Sequence, residues 1–559
     1  EDGIRDLVRS RGLGDVYKRQ ALILFFFALN FRHLVRAFAG VRKNVWIGVL
    51  AVVLLAFFLR AYFGPFADPM RSGGWEYQSV GRYFLEDRLF KNCLVGSFDE
   101  CFYLETPEHP GGYPFTLYLL FIFTGVSKTA ALWFNIFVGA VSSALVFMAA
   151  YLLFRDDGVA LMSAFVFSLF KKHIIYSGTT EAATSVVFFM LLFSVFFLFM
   201  VREKTWKSLC LCVLLLFFAF HIQTDNISLV PVFLVWCVIF WKEIKGVFSS
   251  ERPRFPVYAA VCVLAAMSIV PFLIYTTTNP MSKGPHGAVS VHYIVPGMYA
   301  FIEENHDIAP VLLYALLLLG IAYALSRRRE LFFLLSWAGI YLGFYLVIYA
   351  AHMERYAITM YPAIAVLAGF GIVKIRDFAV SYFKHKEVSE KKIRHKGLTK
   401  DVLFGSALTA VLAMFLLFSF FPSGDFTHKR NKIHLDFDEY RVYTWQPPTK
   451  TIAAARLIGG ENTILVAEGT EARILILNTD SLVVWWPVLI EPGYLDRISE
   501  ATRRRGGQIY YMRTGWTYSE YHMLILKALG SRYEFVRLKR LSEDIPETDV
   551  TVYRLEEKG

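Results

Sequence analysis

The side chains best suited to acid–base chemistry gather in one polar stretch, residues 64–114, which lies between two long apolar segments. It contains Asp68, Glu76 and His109, together with aromatic residues and turn-forming Gly and Pro residues. Carboxylates and imidazoles are the side chains that most often move protons in enzymes, because they act as general acids and bases near neutral pH. The stretch therefore predicts a folded loop that carries a functional site, and not a plain connector.

The rest of the chain must hold this loop in a membrane. Of the 559 residues, 56% are hydrophobic and only 19% are charged, whereas soluble domains carry about 25% charged residues. The formal charge of +11 does not indicate a nucleic-acid partner, because Lys and Arg occur in short clusters between apolar segments. This is the pattern of cytoplasmic loops in polytopic membrane proteins, so membrane lipid is the expected surrounding.

About eleven spans follow from the apolar segments, and every strong Lys/Arg cluster then lies on the same side of the membrane, which supports this number. Residues 115–125 are too short to cross a bilayer and predict a re-entrant or interfacial helix. The expected spans are residues 45–63, 130–154, 159–176, 183–201, 208–220, 227–241, 255–275, 311–325, 331–349, 358–373 and 402–421. The most basic loop is expected at residues 374–400.

We expect a multi-pass protein of the cytoplasmic (inner) membrane. The alternation of basic and apolar segments places residues 64–114 on its extracytoplasmic side. Residues 21–421 form the expected membrane domain, and residues 1–20 resemble a translated adapter fragment that is left out of the fold. Residues 422–559 predict a soluble extracytoplasmic α/β domain. Short apolar runs at residues 464–467, 509–512 and 533–536 predict buried strands. Segments whose apolar residues have helical spacing lie between them, and this alternation of strand and helix favours a mostly parallel sheet.

Three further polar groups lie at the predicted outer ends of spans. The first is Ser177-Gly178-Thr179-Thr180-Glu181, and the second is Glu354-Arg355-Tyr356 followed by Met360-Tyr361-Pro362. His221 and Asp225 form a weaker third group, which either joins a site or caps helices. Ionisable residues at a membrane edge are functional candidates, although Glu181 and Arg355 could also simply extend their charges toward water.

The order of these motifs resembles the GT-C fold glycosyltransferases that use lipid-phosphate sugars. The closest subgroup contains the protein O-mannosyltransferases and the aminoarabinose transferases of lipid A. The matching stretches are Glu76-Tyr77-Gln78-Ser79-Val80-Gly81-Arg82, His109-Pro110-Gly111-Gly112-Tyr113-Pro114, and the groups at Glu181 and at residues 354–356. One departure is that Gly73 and Gly74 stand where the family commonly has an Asp or Glu shortly before Glu76.

The resemblance implies an inverting transfer of a sugar from a polyprenyl phosphate to a hydroxyl of a protein, lipid or glycan acceptor. Glu76 or Asp68 would be the catalytic base, and Glu181 would orient the acceptor or the base. Arg355 and His109 would bind the departing phosphate, because charge develops there in the transition state. Faces for sugar or lipid would come from Trp75, Tyr77, Tyr113 and Tyr356.

Plainer interpretations stand beside these roles. An acid in a loop is usually a solvated charge, and this weighs more against Asp68 than against Glu76, which lies within the matched motif. His109 precedes a proline and could be only a turn residue. No cofactor is expected to be obligatory and no metal-ligand spacing is visible, although lone carboxylates in the loop could bind a divalent metal transiently.

The six cysteines divide into two groups. Four lie in apolar segments, whereas Cys93 and Cys101 lie in the loop assigned to the oxidising side. A disulfide between these two is expected, and it would stabilise the loop by restricting the unfolded chain.

Two other classes of protein compete with the transferase. A transporter or flippase of lipid-linked saccharides would also have many spans, but such proteins often show internal repeats and helices broken within the membrane. No repeat is visible here, and the polar residues gather at one face. An assembly protein that acts through its soluble domain is the third possibility.

Overall fold

The computed structural model describes residues 23–250 with short gaps and the rest of the chain at separate segments. The described residues are 23–63, 72–87, 90–96, 101–105, 111–223, 226, 228–250, 256, 263, 311–348, 358–389, 455, 458, 463–467, 475, 481–485, 496, 500, 504, 507–514, 526–527, 529–541 and 550–558. They fall into two compact units. The membrane unit is Glu1–Gly64, Leu132–Gly178 and Ala182–His428, and the sheet unit is Pro65–Ala131, Thr179–Glu181 and Lys429–Gly559.

Helices make up the described part of the membrane unit. In chain order they are α1 (23–37), α2 (Lys43–Phe63), α5 (Lys128–Phe154), α6 (Asp157–Ser168), α7 (Lys171–Ser177), α8 (Ala183–Glu203), α9 (Trp206–Ile222), α10 (Leu229–Ile239), α11 (Trp241–Ser250), α12 (Val311–Ala324), α13 (Arg328–Ile348) and α14 (Tyr361–Ser389). The labels α3 and α4 belong to helices of the sheet unit, Ser72–Glu86 and Gly112–Thr124.

Within the described residues, four helices are long and apolar enough to cross a membrane. They are Lys43–Tyr62, Lys128–Phe154, Ala183–Glu203 and Ile358–Ser381, and the bent pair α6–α7 would make a fifth span. The expected number of about eleven is therefore not confirmed. Two of the expected spans, residues 255–275 and 402–421, lie almost entirely outside the described residues.

Three predicted elements differ from the structure. The span expected over residues 159–176 is broken, because α6 and α7 meet at a bend of 63°. The span expected over 227–241 ends at Ile239, and a second helix begins at Trp241. The basic loop expected from Lys374 is wrong at its start, because α14 continues to Ser389. Ion pairs such as Lys374–Asp377, one turn apart, let the helix continue into polar sequence.

Glycines set the closest helix contacts of the membrane unit. A Cβ on Gly320 of α12 would overlap the Leu367 carbonyl of α14, and one on Gly371 of α14 would overlap the Leu316 carbonyl of α12. A side chain at either position would force the two backbones apart. Small residues are common at such crossings in membranes, where van der Waals packing drives helix association.

Seven strands form one sheet in the sheet unit, in the order β2-β1-β4-β3-β5-β7-β6. The strands are β1 (Asn92–Gly96), β2 (Cys101–Glu105), β3 (Thr463–Ala467), β4 (Leu482–Trp485), β5 (Gln508–Thr514), β6 (Tyr533–Leu541) and β7 (Val550–Glu557). The predicted strands at 464–467, 509–512 and 533–536 are confirmed. The prediction of a mostly parallel sheet is wrong, because only the β3–β4 and β3–β5 pairings are parallel among six.

The β1–β2 hairpin comes from residues 64–114, which were predicted to form a loop separate from the α/β domain at residues 422–559. Its strand β1 pairs with β4, with Val95 opposite Val484 and Gly96 opposite Val483. Every residue of β3 is buried, so both faces of the sheet are covered there. Tyr83 of α3 packs into the core on one of these faces, beside Leu465 and Val483. The sheet therefore supports the helix that carries Glu76.

Candidate functional site

Helix α3 is positioned from two sides. Toward α4, the rings of Tyr77 and Tyr113 meet edge to face at 5.0 Å between centroids. Gly81 lets the helices approach closely, since a Cβ at this position would lie 3.1 Å from the Pro114 carbonyl oxygen. On another side, Tyr83 enters the sheet core, and burial raises its pKa to about 12. The Tyr83 phenol therefore stays neutral at physiological pH and does not act as a base.

The predicted base Glu76 lies within this helix and is wholly buried. Its neighbours Tyr77 and Gln78 are also buried, at 3% and 4% exposure. A solvated loop charge would be exposed, so the plainer interpretation of Glu76 does not describe the structure. Burial of a carboxylate costs free energy unless the surroundings compensate for it. Carboxylates buried in this way are typical of functional sites.

The segment with the second predicted acid lies against the same helix. The side-chain amide of Gln78 donates to the Thr180 hydroxyl at 3.1 Å and to the Gly74 carbonyl at the same distance. Glu181 is 1% exposed, and its backbone N–H donates to the Thr179 hydroxyl at 3.4 Å. The structure thus brings the two segments that carry Glu76 and Glu181 together in the sheet unit.

The last turn of α3 carries an ion pair that sequence reasoning did not single out. The Nε of Arg82 lies 2.9 Å from both carboxylate oxygens of Glu86. Arg82 is buried, whereas Glu86 is partly exposed. Residues four apart lie on one face of a helix, so this pair braces the end of α3.

A second cluster of buried polar side chains lies in the membrane unit, and sequence reasoning missed it. The Nη2 of Arg60 at the end of α2 lies 2.8 Å from Nδ1 of His173 in α7. The Nη1 of Arg60 donates to the Ala56 and Ser168 carbonyl oxygens at 2.9 and 3.4 Å. Ser168 is the last residue of α6, so the guanidinium joins both sides of the 63° bend.

The chemistry of arginine fixes the form of His173. A guanidinium has donors only, so Nδ1 of His173 accepts and the proton of the neutral ring is on Nε2. Arg60 and His173 are both completely buried. In the part of the chain that the structure describes, neither Arg60 Nε nor His173 Nε2 has a hydrogen-bond partner. A signal was present in the sequence, since Arg60 is the only charged residue of the apolar run 45–63.

Several predicted site residues lie outside the described residues: Asp68, His109, Asp225, Arg355 and Tyr356. Trp75 is part of α3, but its side chain is not described. His221 lies in the last turn of α9 in the membrane unit, where its ring meets Phe220 at 5.8 Å. No group of three or more His, Cys, Asp or Glu residues that could hold a metal ion occurs among the described residues.

Cys93 of β1 is buried and disulfide-bonded. The other predicted member, Cys101, begins β2 opposite Gly96, and its side chain lies outside the described part of the chain. The pairing of Cys93 with Cys101 therefore stays a prediction.

Comparison with solved structures identifies the fold as that of the GT-C membrane glycosyltransferases, as the motifs predicted. Two structures of the aminoarabinose transferase ArnT from Cupriavidus metallidurans are similar to this chain: the apo form at a TM-score of 0.56 and 13% identity, and the form bound to undecaprenyl phosphate at 0.54 and 12%. Each alignment covers 92% of this chain and 98% of the transferase. At such identities the likeness shows the fold alone.

A more distant likeness is to the oligosaccharyltransferase AglB from Archaeoglobus fulgidus in complex with an inhibitory peptide and a dolichol-phosphate. The TM-score is 0.47 at 11% identity, over 92% of this chain and 76% of that protein, and it supports no further conclusion. No family model matches the chain, and no curated protein matches it.

Proposed function

We propose that this protein is an inverting glycosyltransferase that moves a sugar from a polyprenyl phosphate to an acceptor hydroxyl at the outer face of the cytoplasmic membrane. The observation that carries the proposal is the complete burial of Glu76 in a helix that follows the first span, within the motif that resembles the family. The shared fold over 92% of the chain supports it. Undecaprenyl phosphate bound to ArnT makes a polyprenyl phosphate a reasonable lipid partner.

In the proposed reaction, a carboxylate removes the proton of the acceptor hydroxyl as the oxygen attacks the anomeric carbon. Glu76 is the first candidate for this base and Asp68 the second, and Glu181 orients the acceptor or the base. Water is excluded around Glu76, so its interaction with a bound hydroxyl is stronger than it would be in solvent. A single in-line displacement inverts the configuration of the sugar.

The departing phosphate needs positive charge or donors as the bond to the sugar breaks. Arg355 and His109 are the proposed partners of this phosphate, with Arg355 able to bind two of its oxygens at once. Trp75, Tyr77, Tyr113 and Tyr356 are the proposed contacts of sugar and lipid. The proposed reaction needs no obligatory cofactor, and a divalent metal would bind only transiently, at carboxylates of the loop.

A transporter of lipid-linked saccharides is the second candidate, and one observation favours it. Helices broken within the membrane are common in transporters, and the bent pair α6–α7 is long and apolar enough to form one broken span. The break alone does not decide the matter, because here it is bridged by Arg60. The two functions differ in whether a glycosidic bond forms.

The test of the proposal is sugar transfer by the purified full chain from polyprenyl-phosphate sugars to a panel of lipid, peptide and glycan acceptors. Glu76→Gln keeps the shape of the side chain and removes its basicity. We expect it to lower the transfer rate by about 10²–10⁴-fold, the usual contribution of a general base.

The matched control is Glu86→Gln, which makes the same change on the same helix at a partly exposed carboxylate. We expect nearly unchanged transfer, because glutamine still accepts from Arg82. Equal activity of wild type and Glu76→Gln would remove Glu76 as the base. Wild-type protein that moves the donor across vesicles without transferring sugar would instead establish the transporter.

A further inference from the structure

A second site lies at one end of the membrane unit. Three helices meet there: α5 and α8 both end, and α13 begins. Between them is an open cleft of about 400 Å³. Its apolar walls are Leu152 and Leu153 of α5, Leu198 and Val201 of α8, and Phe240.

Charged side chains lie at the rim of this cleft, and they are Arg155, Arg202 and Glu330. Arg202 is in the last turn of α8, a helix long and apolar enough to cross the membrane. The cleft thus combines an apolar wall with charges at the end of a span. This is the arrangement that a lipid meets where its chains end and its headgroup begins.

The two arginines differ in how they are held. Arg155 follows α5 with φ at 58°, in the left-handed region, and its Nη1 donates to the Ala37 carbonyl at 3.0 Å. Its guanidinium also lies over the Tyr151 ring, 5.0 Å from the centroid. The Arg202 side chain makes no hydrogen bond or ion pair with any residue that the structure describes. One cation is therefore fixed at the rim and the other is available to a ligand.

The part of the cleft wall at Phe240 is also fixed. Arg329 and Glu243 form a two-point ion pair at 3.1 and 3.2 Å, which joins the start of α13 to α11. The Arg329 guanidinium lies 5.7 Å from the centroid of the Phe240 ring, on a wall of the cleft. The next residue, Glu330, presents a carboxylate to the cleft, and within the described chain this carboxylate has no ion-pair partner.

We propose that this cleft binds a zwitterionic aminophospholipid, with its phosphate on Arg155 and Arg202 and its primary ammonium on Glu330. The charge pattern selects this class of lipid. Two guanidinium groups suit a phosphate, while the carboxylate repels a purely anionic headgroup and attracts an ammonium. The acyl chains lie on the leucine and phenylalanine walls, and the site does not depend on the proposed transferase activity.

The experiment uses the full chain in detergent, with native mass spectrometry to count retained lipids after titration with one lipid at a time. The probes are phosphatidylethanolamine, phosphatidylcholine and phosphatidylglycerol with the same acyl chains. We expect wild type to prefer phosphatidylethanolamine, because the methylated ammonium of phosphatidylcholine cannot donate to Glu330.

Three variants test the assignment of the charges. Arg202→Ala is expected to weaken retention of phosphatidylethanolamine by about fivefold, the effect of one basic residue on a lipid phosphate. Glu330→Gln is expected to remove the preference over phosphatidylcholine and to leave phosphatidylglycerol as weak as before or slightly stronger. Arg328→Ala is the control, because it removes the same charge from an exposed arginine that does not line the cleft.

Equal retention by Arg202→Ala and Arg328→Ala would overturn the site. A wild-type preference for phosphatidylglycerol would overturn the class of lipid, and retention of detergent only would overturn both. Thermal unfolding of each variant verifies that it is folded. Should Arg202→Ala prove unfolded, the comparison of Glu330→Gln with wild type still decides the proposal.

Discussion

At the scale of single residues, the most unusual feature is a fully buried arginine whose partner is a neutral histidine. Arg60 contacts two carbonyl oxygens and His173, so its charge is balanced by dipoles and not by an acid of the described chain. Gly139 of α5 makes room for this arrangement. A Cβ there would overlap the Ser177 hydroxyl and lie 2.9 Å from Arg60 Nε.

Gly139→Ala is therefore expected to destabilise the protein by about 1–3 kcal/mol, the usual cost of overpacking a closed site. The measurement is thermal unfolding of the full chain in detergent. Gly339→Ala is the matched control, because Gly339 is also within a helix and a Cβ there would meet nothing within 4 Å. We expect this control to be neutral or slightly stabilising, since alanine favours a helix more than glycine does. A Gly139→Ala variant as stable as the control would show that the cluster is loosely packed.

Residue patterns predicted one part of the candidate site and missed another. Glu76, Tyr77 and Tyr113 were predicted as site residues because motif residues keep their order and spacing in the sequence, and their roles stay a prediction. Arg60 and His173 are more than a hundred positions apart, and only the fold brings them together. A lone charge within a span was the available signal, but its partner could not be named without the bend between α6 and α7.

At the scale of elements, the central strands of the sheet are buried, whereas the edge strand β6 is partly exposed. Strand β4 pairs with β1 on one side and β3 on the other, and Val484 is fully buried. Strand β6 is at the edge, and its register shifts next to Leu538, which is 43% exposed.

Val484→Pro is expected to disrupt the sheet unit, because proline removes a ladder donor and does not fit a central strand. Leu538→Pro is expected to be tolerated, since it is at an irregularity of an edge strand. Limited proteolysis of the full-length variants, followed by mapping of the cut sites, measures the difference. Similar cleavage of both variants would contradict the strand order.

Elements with long local patterns were predicted well. The expected span 183–201 is helix Ala183–Glu203, and the expected 45–63 is Lys43–Phe63. Strand β4 has only four residues, and β1 and β2 are within a stretch chosen for its polarity, so local periodicity gave little indication of them. Their pairing is set by distant parts of the chain, which a local pattern does not contain.

At the scale of the whole molecule, the orientation in the membrane is the property that the sequence addresses most directly. Basic clusters alternate with apolar segments so that all of the strong clusters fall on the same predicted side, the cytoplasmic one. The helices long enough to cross a membrane support a multi-pass protein, and the side on which each loop lies is our proposal.

Topology reporters test this orientation. Alkaline phosphatase fused after Gly559 is expected to be active, because the enzyme folds only outside the cytoplasm in bacteria, and the carboxyl-terminal region is proposed to lie there. The same reporter fused after Lys204 is expected to be inactive, since basic residues favour the cytoplasmic side. A reversed pattern of activity would place residues 64–114 in the cytoplasm and exclude the proposed outer-face reaction.

The β1–β4 pairing also has a consequence for the biosynthesis of the protein. Strand β1 leaves the ribosome long before β4, so the sheet that packs against Tyr83 cannot close until Leu482–Trp485 has been made. Such non-local pairing closes slowly, because the entropy of a very long loop is lost before the contacts form. Helix α3, and the Glu76 that it carries, thus acquires its full support only in the finished protein. A ribosome-stalled or truncated product would hold the early half of the unit without the strands that stabilise it.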